Sequence, residues 1–218
     1  MSTHIKMPSY AEGLKELRTN LTGMIPAEAL DIFDADAKAL GENHSSILKL
    51  NIGDKAPNFI LSDALGKPVD LSRLLSKHRI VLTFYRGTWC PYCNLQLKQY
   101  QSILGEMRNL GAELVAISPQ TADESLNIQE KNALDFYVLS DVGNVVAAAY
   151  TTIFKNGEGP IQTMTELGFD FYGHYADDSG EIPIPAVFII EQDGTISFAQ
   201  ALSGDYRQRV EGSEIINA

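Results

Sequence analysis

The chain has 218 residues, 44% of them hydrophobic and 21% charged, with 28 acidic against 17 basic side chains and a formal net charge of −11. That length suits one domain with additions, and the composition supplies a core that needs no covalent staples. An acidic balance without any basic run argues against a nucleic-acid surface, and no stretch reaches the roughly 18 apolar residues of a membrane span.

The start, Met1-Ser2-Thr3-His4-Ile5-Lys6, leads into no apolar core segment, so no signal peptide is expected. The expected compartment is the cytoplasm, where thiol pairs cycle instead of staying oxidised. Residues 9–22 and 26–43 read as two helices. In the second, Pro26 stands near the start, Leu30, Phe33, Ala37 and Leu40 recur at helical spacing, and Gly41 is near the stop. Residues 1–49 are therefore expected to be a helical N-terminal extension that packs on the main body, with a homodimer as the alternative use of its surface.

From residue 50 the rhythm changes. Residues 58–62 and 68–71 flank Leu65-Gly66-Lys67 as a short hairpin. Residues 71–77 follow as a brief helix or turn. Ile80-Val81-Leu82-Thr83-Phe84-Tyr85 is a near-continuous apolar run, as in a central strand buried on both faces. A long amphipathic helix is expected from Cys93 to about Leu110, with Leu97, Tyr100, Leu104 and Met107 on one stripe and Gly111 past its end. Then come a strand over 113–118, a helix over 122–134, a short strand over 136–139 and a small helix over 142–150. Residues 154–182 are rich in glycine and aromatics with little period. Residues 186–190 and 195–199 form a second hairpin about Gln192-Asp193-Gly194. This order implies one α/β domain over residues 50–218, a mixed central sheet flanked by helices.

The chemistry concentrates in Arg86-Gly87-Thr88-Trp89-Cys90-Pro91-Tyr92-Cys93, which holds both cysteines of the chain. A Cys-x-x-Cys between a strand and a helix is the layout of a redox-active dithiol. Pro91 suits the first helical position, which makes Cys90 the expected N-cap, near solvent, with its thiolate favoured by the helix N-terminus. Arg86 adds positive charge if it points into the same pocket. Cys93, one turn in, is expected to be the more buried resolver of a Cys90 adduct. Zinc is not expected, because the histidines at 4, 44, 78 and 174 offer no paired ligand spacing. Two inert core cysteines are the bland alternative; Trp89 and Pro91 are not core-filling choices. His174 reads as a solvated loop histidine, with lining an entrance as its other reading. Ile182-Pro183-Ile184-Pro185 precedes the strand at 186, and either ends a loop or carries a cis Ile184–Pro185 bond that sets the backbone beside the dithiol. The expected substrate contacts are Trp89, Pro91, Tyr92, Ile184 and Pro185.

Three segments carry a family resemblance: Gly53-Asp54-Lys55-Ala56-Pro57-Asn58-Phe59, residues 81–93, and residues 182–190 with Asp193-Gly194. They resemble the alkyl hydroperoxide reductase/thiol-specific antioxidant family, in particular its peroxiredoxin-like branch with a CxxC site. Asp205-Tyr206-Arg207 with Arg209 resembles that branch's C-terminal signature. The resemblance implies a thioredoxin-like fold, peroxide reduction by Cys90 and Cys93 with Thr88 and Arg86 assisting, and no bound cofactor. It also implies electrons from thioredoxin, glutaredoxin or a small thiol. The sequence departs from the family pattern. Thr88 precedes Cys90 by two residues instead of three, Arg86 stands where a proline is usual, and Pro185 replaces a later arginine. Aligning Cys93 to the peroxidatic position puts Cys90 where the threonine belongs. Cys-Pro-Tyr-Cys is the glutaredoxin tetrapeptide. A thiol peroxidase, a general thiol–disulfide oxidoreductase and a non-catalytic redox sensor or docking module therefore all stand as readings of the dithiol.

Overall fold

The computed structural model describes residues 9–44 and 47–218. Two helices come first, α1 (Tyr10–Met24) and α2 (Ala27–Asn43). The body then runs β1 (Ile60–Asp63), β2 (Pro68–Asp70), α3 (Leu71–Leu75), β3 (Arg79–Phe84), α4 (Pro91–Ser102), α5 (Leu104–Asn109), β4 (Ala112–Ser118), α6 (Ala122–Lys131) and β5 (Tyr137–Ser140). It continues through α7 (Ala147–Tyr150), β6 (Ile153–Lys155), α8 (Glu158–Glu166), β7 (Glu181–Pro183), β8 (Ala186–Ile190), β9 (Ile196–Gln200) and α9 (Gly212–Ile216).

Seven strands form one sheet in the order β2-β1-β5-β4-β3-β8-β9. The β3–β4 and β4–β5 pairs are parallel, and the others are antiparallel. β3 is central because it can be buried on both faces. Val81 and Tyr85 enter the core that holds both cysteines, while Ile80, Leu82 and Phe84 enter the opposite one. That alternation is the period-2 consequence of strand geometry. The turn after β3 therefore lies at the C-terminal end of a central strand, with the N-terminus of α4 beside it. Helices cover both faces, giving the thioredoxin-like α/β arrangement expected from the order of elements.

The N-terminal helices lie on their own chain's body: α1 packs against α4 and α2 against α8. Polar contacts lock them there. Glu211 accepts from the backbone N–H groups of Tyr10 and Ala11, at 2.8 and 2.9 Å, and from the Ser9 hydroxyl at 3.1 Å. These are orphan donors of the α1 N-terminus. Arg18 and Arg207 both pair with Asp34, and Arg207 also pairs with Asp205. The signal-peptide reading at residues 1–6 falls outside the described residues, as does His4.

Four expectations need correction. The helix after Cys93 is broken at Ile103 into α4 and α5. The Ser102 hydroxyl donates to the Gln99 carbonyl at 2.6 Å, a back-bond that competes with the helix ladder. The helix begun at Ala122 stops at Lys131, and Ala133 is left-handed at φ 48°. The small helix begins only at Ala147, because Asp141 accepts from the N–H groups of Val146 and Ala147. Residues 154–182 are not irregular. They hold α8, and β7 pairs back onto β6, a non-local contact that local period cannot announce. α9 was missed entirely; its capping box uses Glu211 and Glu214 where Ser or Thr is the usual first member.

Gly204 sits where the segment after β9 meets α2, and a Cβ there would overlap the Leu40 carbonyl. Gly204→Ala is expected to destabilise the fold by about 1–3 kcal/mol. A lower urea midpoint at unchanged m-value would show it; an unchanged midpoint would mean that α2 yields without cost.

Candidate active site: a buried dithiol between two arginines

β3 delivers the chain into Tyr85–Trp89, and Cys90 then caps α4 with Pro91 in its first turn, as the spacing predicts. The Cys90 carbonyl accepts from the N–H groups of Cys93 and Asn94, both at 3.1 Å. The Asn94 side chain ties the loop down by donating to the carbonyls of Thr88 (2.7 Å) and Cys90 (3.0 Å). A Cβ at Gly87 would lie 2.5 Å from Trp89 Nε1, so the glycine lets the indole fold back across the loop. Trp89 Nε1 donates to the Tyr175 hydroxyl at 2.7 Å, which in turn donates to the Arg86 carbonyl at 3.0 Å.

Cys90 is not near solvent: it is 1% exposed and Cys93 0%. The cap position is as expected, but α1, α2 and α8 close over it. The charge distribution also differs from expectation. Arg209 Nη2 lies 3.5 Å from Cys93 Sγ and donates to it, and the Arg86 backbone also hydrogen-bonds to that sulfur. Burial opposes a charge on either thiol. The hydrogen bond from Cys90, the Arg209 guanidinium and the Arg86 amide nevertheless hold the Cys93 thiol well below its ordinary range. Burial, and its role as donor to Cys93, push the Cys90 thiol up. The two thiols are therefore pushed apart, Cys93 towards its charged form and Cys90 towards its neutral one.

Arg86 does point into the site. It is 2% exposed, donates to the Asn156 side chain at 3.0 Å, and lies 3.9 Å over the Tyr206 ring and 4.8 Å over Trp89. Thr88 is directed elsewhere. Its hydroxyl donates to Glu124 at 3.2 Å and accepts from Gln120 at 3.0 Å, while its N–H donates to Gln120 at 2.6 Å. His174 joins that network, 2.7 Å from Glu124 and stacked on Phe169 at 4.8 Å, so it is not a solvated loop residue. Ile184 and Pro185 are buried, and all peptide bonds among the described residues are trans. The Ile184 N–H donates to the Thr152 carbonyl and its own carbonyl accepts from the Thr151 hydroxyl, both at 2.9 Å. Its backbone is thus engaged internally, and of the two readings of this segment the cis Ile184–Pro185 bond is not formed.

A partly open cavity of about 150 Å³ reaches Cys90, with Arg86, Trp89, Pro91 and Tyr92 in its wall. Cys93 is not in that wall. Arg209, Tyr175 and Asp36 complete the site. Arg209 was reached only through the C-terminal resemblance, and nothing local in the sequence marks Asp36 or Tyr175 as neighbours of the dithiol. Among the described residues no group of three or more His, Cys, Asp or Glu side chains could hold a metal ion. None of the helices among them is long and apolar enough to cross a membrane.

A thioredoxin-like sheet with a Cys-x-x-Cys at the N-terminus of the helix after its central strand defines a thiol-dependent oxidoreductase. The model of the AhpC/TSA family matches residues 52–199, and the chain belongs to that family. A provisionally named peroxiredoxin of Mycobacterium tuberculosis is 29% identical over 152 residues, covering 70% of this chain and 85% of its own. Thiol-disulfide oxidoreductase ResA of Bacillus anthracis is 25% identical over 165 residues, covering 75% and 77%. Among solved structures, peroxidoxin BcpB of Mycobacterium tuberculosis superposes with a TM-score of 0.59 at 22% identity, over 77% of this chain and 95% of that one. A peroxiredoxin-like protein from Aquifex aeolicus also gives 0.59, at 17% identity over 77% and 85%. These two likenesses concern the fold.

Replacing Arg209 removes the cation beside Cys93, so the thiolate loses stabilisation and its titration must move up. Arg209→Gln is expected to shift the first thiolate absorbance step at 240 nm to higher pH, with Arg209→Lys in between. A step that stays in place in Arg209→Gln would show that the helix and the Arg86 amide suffice.

Proposed function

We propose that the chain is a thiol peroxidase that reduces hydrogen peroxide or organic hydroperoxides through Cys90 and Cys93. The observation that carries this reading is the division of labour in the pair: Cys90 lines the cavity, and Cys93 lies outside its wall, 3.5 Å from the Arg209 guanidinium that donates to it. In the resting pair the Cys93 thiolate accepts the Cys90 proton, which leaves Cys90 as the attacking thiolate. Cys90 sulfur then takes the terminal oxygen of ROOH. The S–O bond forms as the O–O bond breaks, sulfur is oxidised to a sulfenic acid, and the alkoxide leaves as ROH after taking a proton from water. Cys93 attacks the Cys90 sulfur, the S–S bond forms, and the hydroxyl departs as water with the proton Cys93 had taken. A dithiol donor such as thioredoxin or glutaredoxin, or two small thiols, restores the pair by exchange through a mixed disulfide.

The assignment keeps Cys90 as nucleophile and Cys93 as resolver, although Cys93 is the thiol held low. Arg86 serves as the cation nearest Cys90, and Trp89, Pro91 and Tyr92 as substrate contacts. Thr88, with its hydroxyl bonded to Glu124 and Gln120, acts on loop position and does not polarise peroxide. That orientation is also what favours the second reading, a general thiol–disulfide oxidoreductase, in keeping with the ResA relatives and the Cys-Pro-Tyr-Cys tetrapeptide.

Mixing reduced protein with hydrogen peroxide in stopped flow separates the two. The peroxidase is expected to react at least about a hundredfold faster than free thiol, the scale that oriented donors supply. A rate no better than free thiol, with turnover of insulin disulfides, would establish the second reading. Cys93→Ser is expected to trap a mixed disulfide or sulfenic acid on Cys90. Trapping in Cys90→Ser alone would reverse the assignment.

A further inference from the structure

Arg209 is aimed at Cys93 by the backbone that carries it. Its Nη2 donates to Cys93 Sγ at 3.5 Å and its Nη1 to the neighbouring Gln208 carbonyl at 3.0 Å. Among the described residues no carboxylate pairs with it. A buried guanidinium without an acidic partner takes its place from its own stretch of chain. Residues 207–210 are neither helix nor strand, so that stretch needs holding from outside.

Two tyrosine hydroxyls meet it, one on each side of Arg209. Tyr10 opens α1, is 3% exposed, and its hydroxyl donates to the Arg207 carbonyl at 2.9 Å. Tyr100 on α4 is wholly buried, and its hydroxyl donates to the Val210 carbonyl at 3.0 Å. Gln96 Nε2 donates to the Tyr100 hydroxyl at 2.8 Å, which leaves the hydroxyl proton for Val210. Cys93, Gln96 and Tyr100 follow one another at helical spacing on the buried face of α4. The sulfur and one clamp on its cation thus share a rigid element. Tyr10 is fixed in turn by its own N–H, which donates to Glu211 Oε2 at 2.8 Å. Tyr10 and residues 207–211 all lie outside the matched family segment.

A buried tyrosine often ends on a carbonyl only to satisfy its hydroxyl, as Tyr150 does on Pro57 at 2.6 Å. Tyr10 and Tyr100 differ in where their carbonyls lie, two residues before the arginine and one after it. The attraction of a guanidinium for a sulfur carrying charge weakens with distance, and a site without water screens it little. Movement of this short arch therefore alters the chemistry of Cys93.

We infer that Tyr10 and Tyr100 are positioning residues, whose hydroxyls hold the 207–210 arch so that the Arg209 guanidinium stays against Cys93 Sγ. The inference rests on Cys93 being the resolving thiol, and adds the groups that keep it ready to attack the Cys90 adduct. It also gives α1, an element outside the family segment, a part in that chemistry.

The test uses the full-length Cys90→Ser protein, in which Cys93 is the single thiol and its absorbance step at 240 nm is read below the tyrosine range. Tyr10→Phe and Tyr100→Phe are each expected to move that step to higher pH by about half a unit or more. Both shifts should be smaller than that of Arg209→Gln, a cation in contact being worth about one to three units in all. In the Arg209→Gln background neither substitution is expected to move the step further, because both act through the arginine. Tyr150→Phe removes a hydroxyl bond of the same kind in the core on the opposite face of the sheet. It is expected to lower the urea midpoint and leave the step in place. Tyr10→Phe and Tyr100→Phe proteins that lose stability with an unmoved step would overturn the inference, as would a shift that persists without Arg209. Should one of the two variants not fold, the other carries the test. Wild-type protein that does not turn over peroxide would overturn the peroxidase reading and leave this titration as it is.

Discussion

A sulfur with no exposure to water, yet held towards its charged form by its neighbours, is the constraint around which this chain is organised. Cys93 is wholly buried, and a thiolate there can exist only where cations and hydrogen bonds replace the lost hydration. The Arg209 guanidinium, itself 4% exposed, supplies much of that replacement. Cys90 supplies a hydrogen bond and the turn before it an amide. Each of these groups is useful only if it is held in place, and most of the remaining structure does the holding.

Arg209 lies beyond the last strand of the sheet, in a segment without regular structure, so its position depends on its neighbours. Those neighbours are the N-terminal helices. The Tyr10 hydroxyl donates to the Arg207 carbonyl at 2.9 Å, Arg207 pairs with Asp34 on α2, and Glu211 caps α1 while reaching Gln99 on the dithiol helix. The two ends of the chain therefore brace each other over the cysteines. This accounts physically for an extension that the matched family segment does without: it shields the pair from water and fixes the cation that shielding makes necessary.

The same enclosure explains why part of the site could be read from sequence and part could not. The dithiol, its N-cap and the arginine four residues earlier are encoded within one strand-turn-helix, where spacing alone dictates placement. The burial of Cys90 is set by helices 47 to 80 residues away in sequence, and the Arg209 guanidinium beside Cys93 comes from 116 residues away. Thr88 illustrates the limit at short range. Its place in the loop was plain, yet its hydroxyl is claimed by Gln120, just beyond β4, and by Glu124 on α6. Ile184 shows the same on the far side of the sheet, where residues 151 and 152 take up its backbone hydrogen bonds.

By itself the sequence determined the alternation of strands and helices, the buried central strand and the dithiol at a helix start, because these follow from local period and from the geometry of consecutive residues. It also carried the family resemblance that the match over residues 52–199 bears out. Only the tertiary structure decided which sulfur lies beside the Arg209 guanidinium, what encloses the pair, and that residues 154–182 form a wall with a helix in it. Those outcomes depend on electrostatics and packing between distant segments, and neither leaves a periodic trace in the chain.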